Sequence, residues 1–108
     1  MAEAYKVTTT ASTFTPPAPA TPTKIDMPVT SANSPPSPVT KIVARQGTTS
    51  SWEREVTPRY ADIYFNSAQF TLLTQRIQQN KNVYVTYNAP AIAGDDQITQ
   101  QSVTTSYP

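Results

Sequence analysis

Eight of the 11 prolines in this 108-residue chain fall within its first 38 positions, at 16, 17, 19, 22, 28, 35, 36 and 38. Each proline locks φ and removes a backbone donor, so this spacing excludes a helix and argues against any central strand. Each also pushes the residue before it towards extended backbone. Fully extended, 38 residues reach on the order of 110 Å at roughly 3.1 Å per residue. Composition breaks at the same place. Positions 1–38 hold two of the ten aromatic residues, Tyr5 and Phe14, and positions 39–108 hold the other eight. The sequence therefore predicts an extended Pro-rich arm over 1–38 and a small body over 39–108.

Apolar side chains recur at intervals along the arm: Tyr5, Val7, Phe14, Ile25, Met27 and Val29. A plain spacer has no use for them, whereas an extended peptide lying in a groove uses alternate side chains as pegs. These six are the expected partner-binding residues of the arm. Pro19-Ala20-Thr21-Pro22-Thr23-Lys24 also fits the PxxPxK pattern of an SH3-domain ligand.

The body reads as α+β and mainly β, with about four or five strands and one helix. Strands are expected at 39–45, 52–57, 59–65, 82–88 and from Ile98 to Tyr107. The segment 82–88 (NVYVTYN) alternates most cleanly. A helix is expected over about 67–79. Asn66 is placed to cap it, with Gln69 at the third helical position, and Phe70, Leu73 and Ile77 recur on one face. The core candidates are Ile42, Trp52, Val56, Ile63, Phe65, Phe70, Leu73, Ile77, Val83 and Val85. Ten residues make a thin core for about 70 positions, and domains of that size usually need disulfides, a metal or association. A homo-oligomer is expected, a dimer by preference because two-fold symmetry is commonest.

Chemistry is narrowed by what the chain contains. It has no cysteine and no histidine, so disulfides, thiol nucleophiles and imidazole bases are excluded. Glu53 and Glu55 lie two apart on an expected strand beside Arg54 and Arg59, and read as a solvated charged face. Asp95-Asp96 after Gly94 reads as a turn. No catalytic residue, cofactor, metal site or small-molecule substrate is expected, and the protein reads as a non-enzyme. Eight Lys and Arg against seven Asp and Glu, none clustered, argue against nucleic acid or an anionic membrane as partner. MAEAYKVTTT lacks the pattern of a secretory signal, and no apolar run approaches the roughly 18 residues of a spanning helix. Forty side chains are Thr, Ser, Gln or Asn, polar without charge, and can meet another protein without desolvating ions. Trp52, Tyr60, Tyr64, Tyr84 and Tyr87 are the expected contacts of the body, with a partner or within an oligomer, because aromatic side chains give large contact area at low entropic cost.

An arm of this length, an undersized body, near-zero charge and no reactive groups resemble the small cement or decoration proteins of tailed-phage capsids. The resemblance is one of overall build and carries no residue-by-residue motif. It implies a virion protein on the capsid exterior that binds the major capsid protein or another virion protein and stabilises the assembled shell. A neck, tail or baseplate component of the virion has the same build. A cellular adaptor recruiting SH3-type domains is the other reading.

Overall fold

The computed structural model describes residues 2–16, 21–34, 36–89 and 96–106. Pro19 and Ala20 of the SH3-type motif, and Gly94 and Asp95 of the expected turn, lie outside these residues. Eight strands and one helix follow one another: β1 (Ala2–Val7), β2 (Thr13–Thr15), β3 (Lys24–Ser31), β4 (Lys41–Gln46), β5 (Ser51–Arg54), β6 (Tyr60–Phe65), α1 (Ser67–Gln78), β7 (Tyr84–Asn88) and β8 (Asp96–Thr104). A 3-10 turn, Thr9–Ala11, separates β1 from β2. The ladder runs β1-β7-β8-β5-β6-β4-β3, and β3 pairs back with β1, so seven strands close into a barrel with β2 appended to β3. Every pairing is antiparallel except β4 with β6.

The expected arm is overturned. Residues 2–7 and 24–31 are strands of the barrel and 13–15 form the strand appended to it, so the fold is a mostly β barrel with one helix rather than an arm and a body. The radius of gyration is 12.8 Å, against about 13 Å for a compact domain of 100 residues. The prolines are accommodated because most fall between strands: Pro16 and Pro22 between β2 and β3, Pro36 and Pro38 between β3 and β4. Pro28 lies inside β3, yet its missing donor costs no ladder bond. β1 pairs with β3 from Val29 onward and β2 only up to Asp26, so the 3-10 turn interrupts the ladder beside Pro28. There the Pro28 carbonyl accepts from the Thr8 amide at 2.8 Å.

The six pegs therefore serve this chain. Tyr5, Val7, Ile25, Met27 and Val29 are buried in the barrel's own core, and Phe14 packs against its margin. Their alternation is the period-two pattern of a strand with one face inward. With these residues added, the core is no longer thin, and the argument that association must stabilise an undersized body falls. Eight of the ten core candidates are buried as expected. The other two are not: Val56 is 53% exposed in the β5–β6 connection, and Trp52 stands on the outer face of β5.

Helix α1 begins and ends for local reasons. The Asn66 side chain accepts from the Gln69 amide at 2.8 Å. At the other end Asn80 turns left-handed, with φ 53°, and the Lys81 amide donates back to the Arg76 carbonyl at 2.9 Å. Phe70, Leu73 and Ile77 face inward, as their spacing predicts. The helix touches β4, β8 and the 3-10 turn, three separated points on the barrel rim, so it lies across one mouth of the barrel. A bulge in the β7–β8 ladder, with Gln100 at φ 56°, adds a residue to β8, so that Ile98 and Val103 both point inward despite their odd spacing.

One turn can be tested directly. Gly47 follows β4 at φ +156°, and a Cβ there would meet Tyr64 Cδ2 at 3.1 Å. Gly47→Ala is expected to lower stability by about 1–3 kcal/mol, since the conformation is open essentially to glycine alone. Urea denaturation monitored by Trp52 fluorescence measures it.

Candidate functional site

The barrel has two unlike ends. Helix α1 closes one with apolar side chains. At the other end β1, β5, β7 and β8 bring together polar side chains that are far apart in sequence: Glu3 and Tyr5 from β1, Glu53 from β5, Tyr87 from β7 and Asp96 from β8. Strand alternation turns these residues inward, and the register places Glu3 beside Tyr87 and Glu53 beside Asp96. Ser37 and Arg59 enter from the connections that flank this mouth.

The network is tight. The Tyr5 and Tyr87 rings stack with centroids 5.3 Å apart, and their hydroxyls lie 2.9 Å apart. Tyr5 Oη is 2.6 Å from Glu3 Oε1 and 2.8 Å from Ser37 Oγ. Tyr87 Oη is 2.6 Å from Glu53 Oε2. Arg59 Nε donates to Glu53 Oε1 at 3.0 Å and its Nη2 donates to Asp96 Oδ2 at 3.1 Å. Glu53 is 4% exposed and Asp96 7%. The buried Asp96 Oδ1 has no hydrogen-bond partner among the described residues.

These environments shift the titrating groups. Burial, then the neighbouring Glu53, pushes the Glu3 carboxyl up from its usual 4.5 to about 7. Both phenols are pushed up as well, by burial first; the next cause is Glu3 for Tyr5, and Tyr5 for Tyr87. Two sequence readings are corrected here. Glu53 is not part of a solvated face: it lies inside the barrel while Glu55, past the end of β5, is exposed. Asp96 opens a strand and is ion-paired. No signal in the sequence joins Glu3 to Glu53 across 50 residues. The inward parity of Tyr5 and of Val83, Val85 and Tyr87 is the nearest hint. Among the described residues no group of three or more acidic side chains is placed to hold a metal ion, and no helix is long and apolar enough to cross a membrane.

The five expected contact residues of the body divide. Tyr87 is part of the buried network, and Tyr84, on the opposite side of β7, is 8% exposed, so neither offers a free surface. Trp52, Tyr60 and Tyr64 do come together on the outer face of β5 and β6. Their inward neighbours Glu53, Ala61, Ile63 and Phe65 are buried. The register sets Trp52 beside Asp62, and Tyr60 between Arg54 and Lys41. Lys41 Nζ lies 5.5 Å from the centre of the Tyr60 ring and the Arg54 guanidinium 5.6 Å from that of Trp52. Arg45, level with Tyr64 on β4, is ion-paired with Asp62 at 3.1 Å. Three cations and one carboxylate thus frame three aromatic rings on rigid strands. A groove of about 270 Å³ beside α1 is lined among the described residues by Pro22, Phe70 and Thr and Gln side chains, none of them charged.

No protein-family model, curated protein or solved structure matches the chain.

Proposed function

We propose that the protein is a non-catalytic structural module that attaches to a larger protein assembly, a virion in the resemblance drawn from its sequence, through the outer face of β4, β5 and β6. The observation that supports this reading is the set of Trp52, Tyr60 and Tyr64, held half-buried on adjacent strands with Arg54 and Lys41 over their rings. Tyr, Trp and Arg are the residues that carry most binding energy at protein interfaces, and anchors already ordered lose little entropy on docking. Lys41, Arg45 and Arg54 on this face suit a partner surface that offers carboxylates. Attachment by an extended arm is not part of this proposal, because the residues assigned to the arm build the barrel. On a shell the module would act as any ligand of an assembled state does, stabilising it by mass action and, with many copies, by avidity.

The test is cofractionation. Tagged protein expressed during infection of the native host is expected to sediment with virus particles on a sucrose gradient. The double variant Trp52→Ser/Tyr60→Ser, checked for native folding by circular dichroism, is expected to stay with free protein. Wild-type protein found only in the light fractions would overturn the virion reading, and a double variant that still sediments with particles would overturn the assigned face.

A further inference from the structure

The oxygens at the polar mouth need more protons than their hydroxyls supply. Four close oxygen–oxygen contacts are present: Glu3 with Tyr5, Tyr5 with Ser37, Tyr5 with Tyr87, and Tyr87 with Glu53. Each hydrogen bond needs one proton, and Tyr5, Tyr87 and Ser37 carry one each. With both carboxyls ionised, one contact would set two oxygens 2.6–2.9 Å apart with nothing between them. At least one further proton therefore belongs to the cluster, and a carboxyl must hold it. Arg59 donates directly to Glu53 and so places a cation on that carboxyl. Glu53, Asp96 and Arg59 together already carry one net negative charge. A second carboxylate beside them, bordered by stacked phenol rings, would add repulsion and desolvation. The proton falls to Glu3.

We infer that Glu3 is held neutral in the closed barrel and that its proton fastens strand β1, so that losing the proton loosens β1 from β7 and β3. β1 is the strand that completes the circuit. It pairs along Ala2–Lys6 with β7 and along Tyr5–Val7 with β3. Its release would uncover two strand edges, the surfaces that strand addition uses. Among the described residues the groups facing Glu3 are Tyr5 on β1, Ser37 before β4, Glu53 on β5 and Tyr87 on β7, with Arg59 and Asp96 behind Glu53 and Glu55 acting on Arg59 through space. Neither phenol ionises in the neutral range, since both are pushed up. The sign follows from the raised carboxyl. The proton-dependent hold on β1 is complete below about pH 4.5, where the carboxyl is protonated open or closed, and it is lost as pH rises towards about 7.

Amide hydrogen exchange between pH 5 and pH 8.5, corrected for the intrinsic rate, is the test. Protection of the Tyr5 and Val7 amides, relative to the Leu73 amide of α1, is expected to fall at least about tenfold. Over this pH range a displacement from 4.5 to about 7 would allow roughly 75-fold, but Glu3 is only partly buried and solvent screens it. Glu3→Gln is expected to flatten the profile and Glu55→Gln to leave it intact. Unchanged protection across this range, or a full drop in Glu3→Gln, would overturn the inference. Should Glu3→Gln not fold, the carboxyl carbon shift of Glu3 in the wild-type protein decides: a midpoint near 7 supports it, and a midpoint between 4 and 5 refutes it.

Discussion

Deleting residues 1–38 is expected to abolish folding. The deletion removes β1 and β3, two of the seven barrel strands, together with β2. It takes Tyr5, Val7, Ile25, Met27 and Val29 out of the core and leaves β4 and β7 without a neighbour on one side. Truncating one large buried apolar side chain to alanine commonly costs about 2–5 kcal/mol, and a whole domain is stable by only about 5–15 kcal/mol. Losing five at once exceeds that margin. The expected spectrum is that of a random coil by far-ultraviolet circular dichroism, with collapsed amide dispersion by NMR. The sequence-based expectation of a partner-binding arm beside a separate body makes the opposite forecast, a folded remainder, and a cooperative melt of residues 39–108 alone would overturn the present one.

Glu53→Ala carries the next largest effect. Its carboxylate accepts from Arg59 and lies 2.6 Å from the Tyr87 hydroxyl inside the barrel, at 4% exposure. The substitution takes a carboxylate from a largely buried guanidinium and the charged partner from a buried hydroxyl, which keeps only Tyr5 Oη beside it. Removing one partner of a buried ion pair costs about 3–5 kcal/mol, largely because the remaining charge stays desolvated. Urea denaturation at pH 7 is expected to show a loss of that size, and Tyr87→Phe, which removes one hydroxyl and no charge, about 1–2 kcal/mol. A loss under 1 kcal/mol for Glu53→Ala would mean that the network is solvated and loosely held.

Both results turn on facts that the chain order conceals. Proline spacing is a local signal, and it reads as an arm because nothing local shows that the ladder is broken beside Pro28 by a turn 17 residues earlier. Glu53 reads as a surface residue because Glu55 and two arginines surround it in sequence, yet β5 turns Glu53 inward and ends before Glu55. Trp52, Tyr60 and Tyr64 are candidate contact residues by their chemistry, which the sequence displays. Only the register of β5, β6 and β4 set them side by side and separated them from Tyr84 and Tyr87.

What the residues determine unaided is whatever closes over short distances. The capped helix at 67–78 is such a feature, since Asn66, Gln69 and the Phe70-Leu73-Ile77 face all lie within three turns. The alternation at 25–29 and 83–87 is another, because a pleated strand has period two wherever it sits. The tertiary structure alone decided what those alternating faces meet. Period two states that one face is apolar and the other polar, and it is silent on whether the apolar face lies against a partner or against the same chain. Closure of β1 onto β3 and β7 answered that, and by the same step brought Glu3 to Glu53 across 50 positions and created the proton-holding end of the barrel.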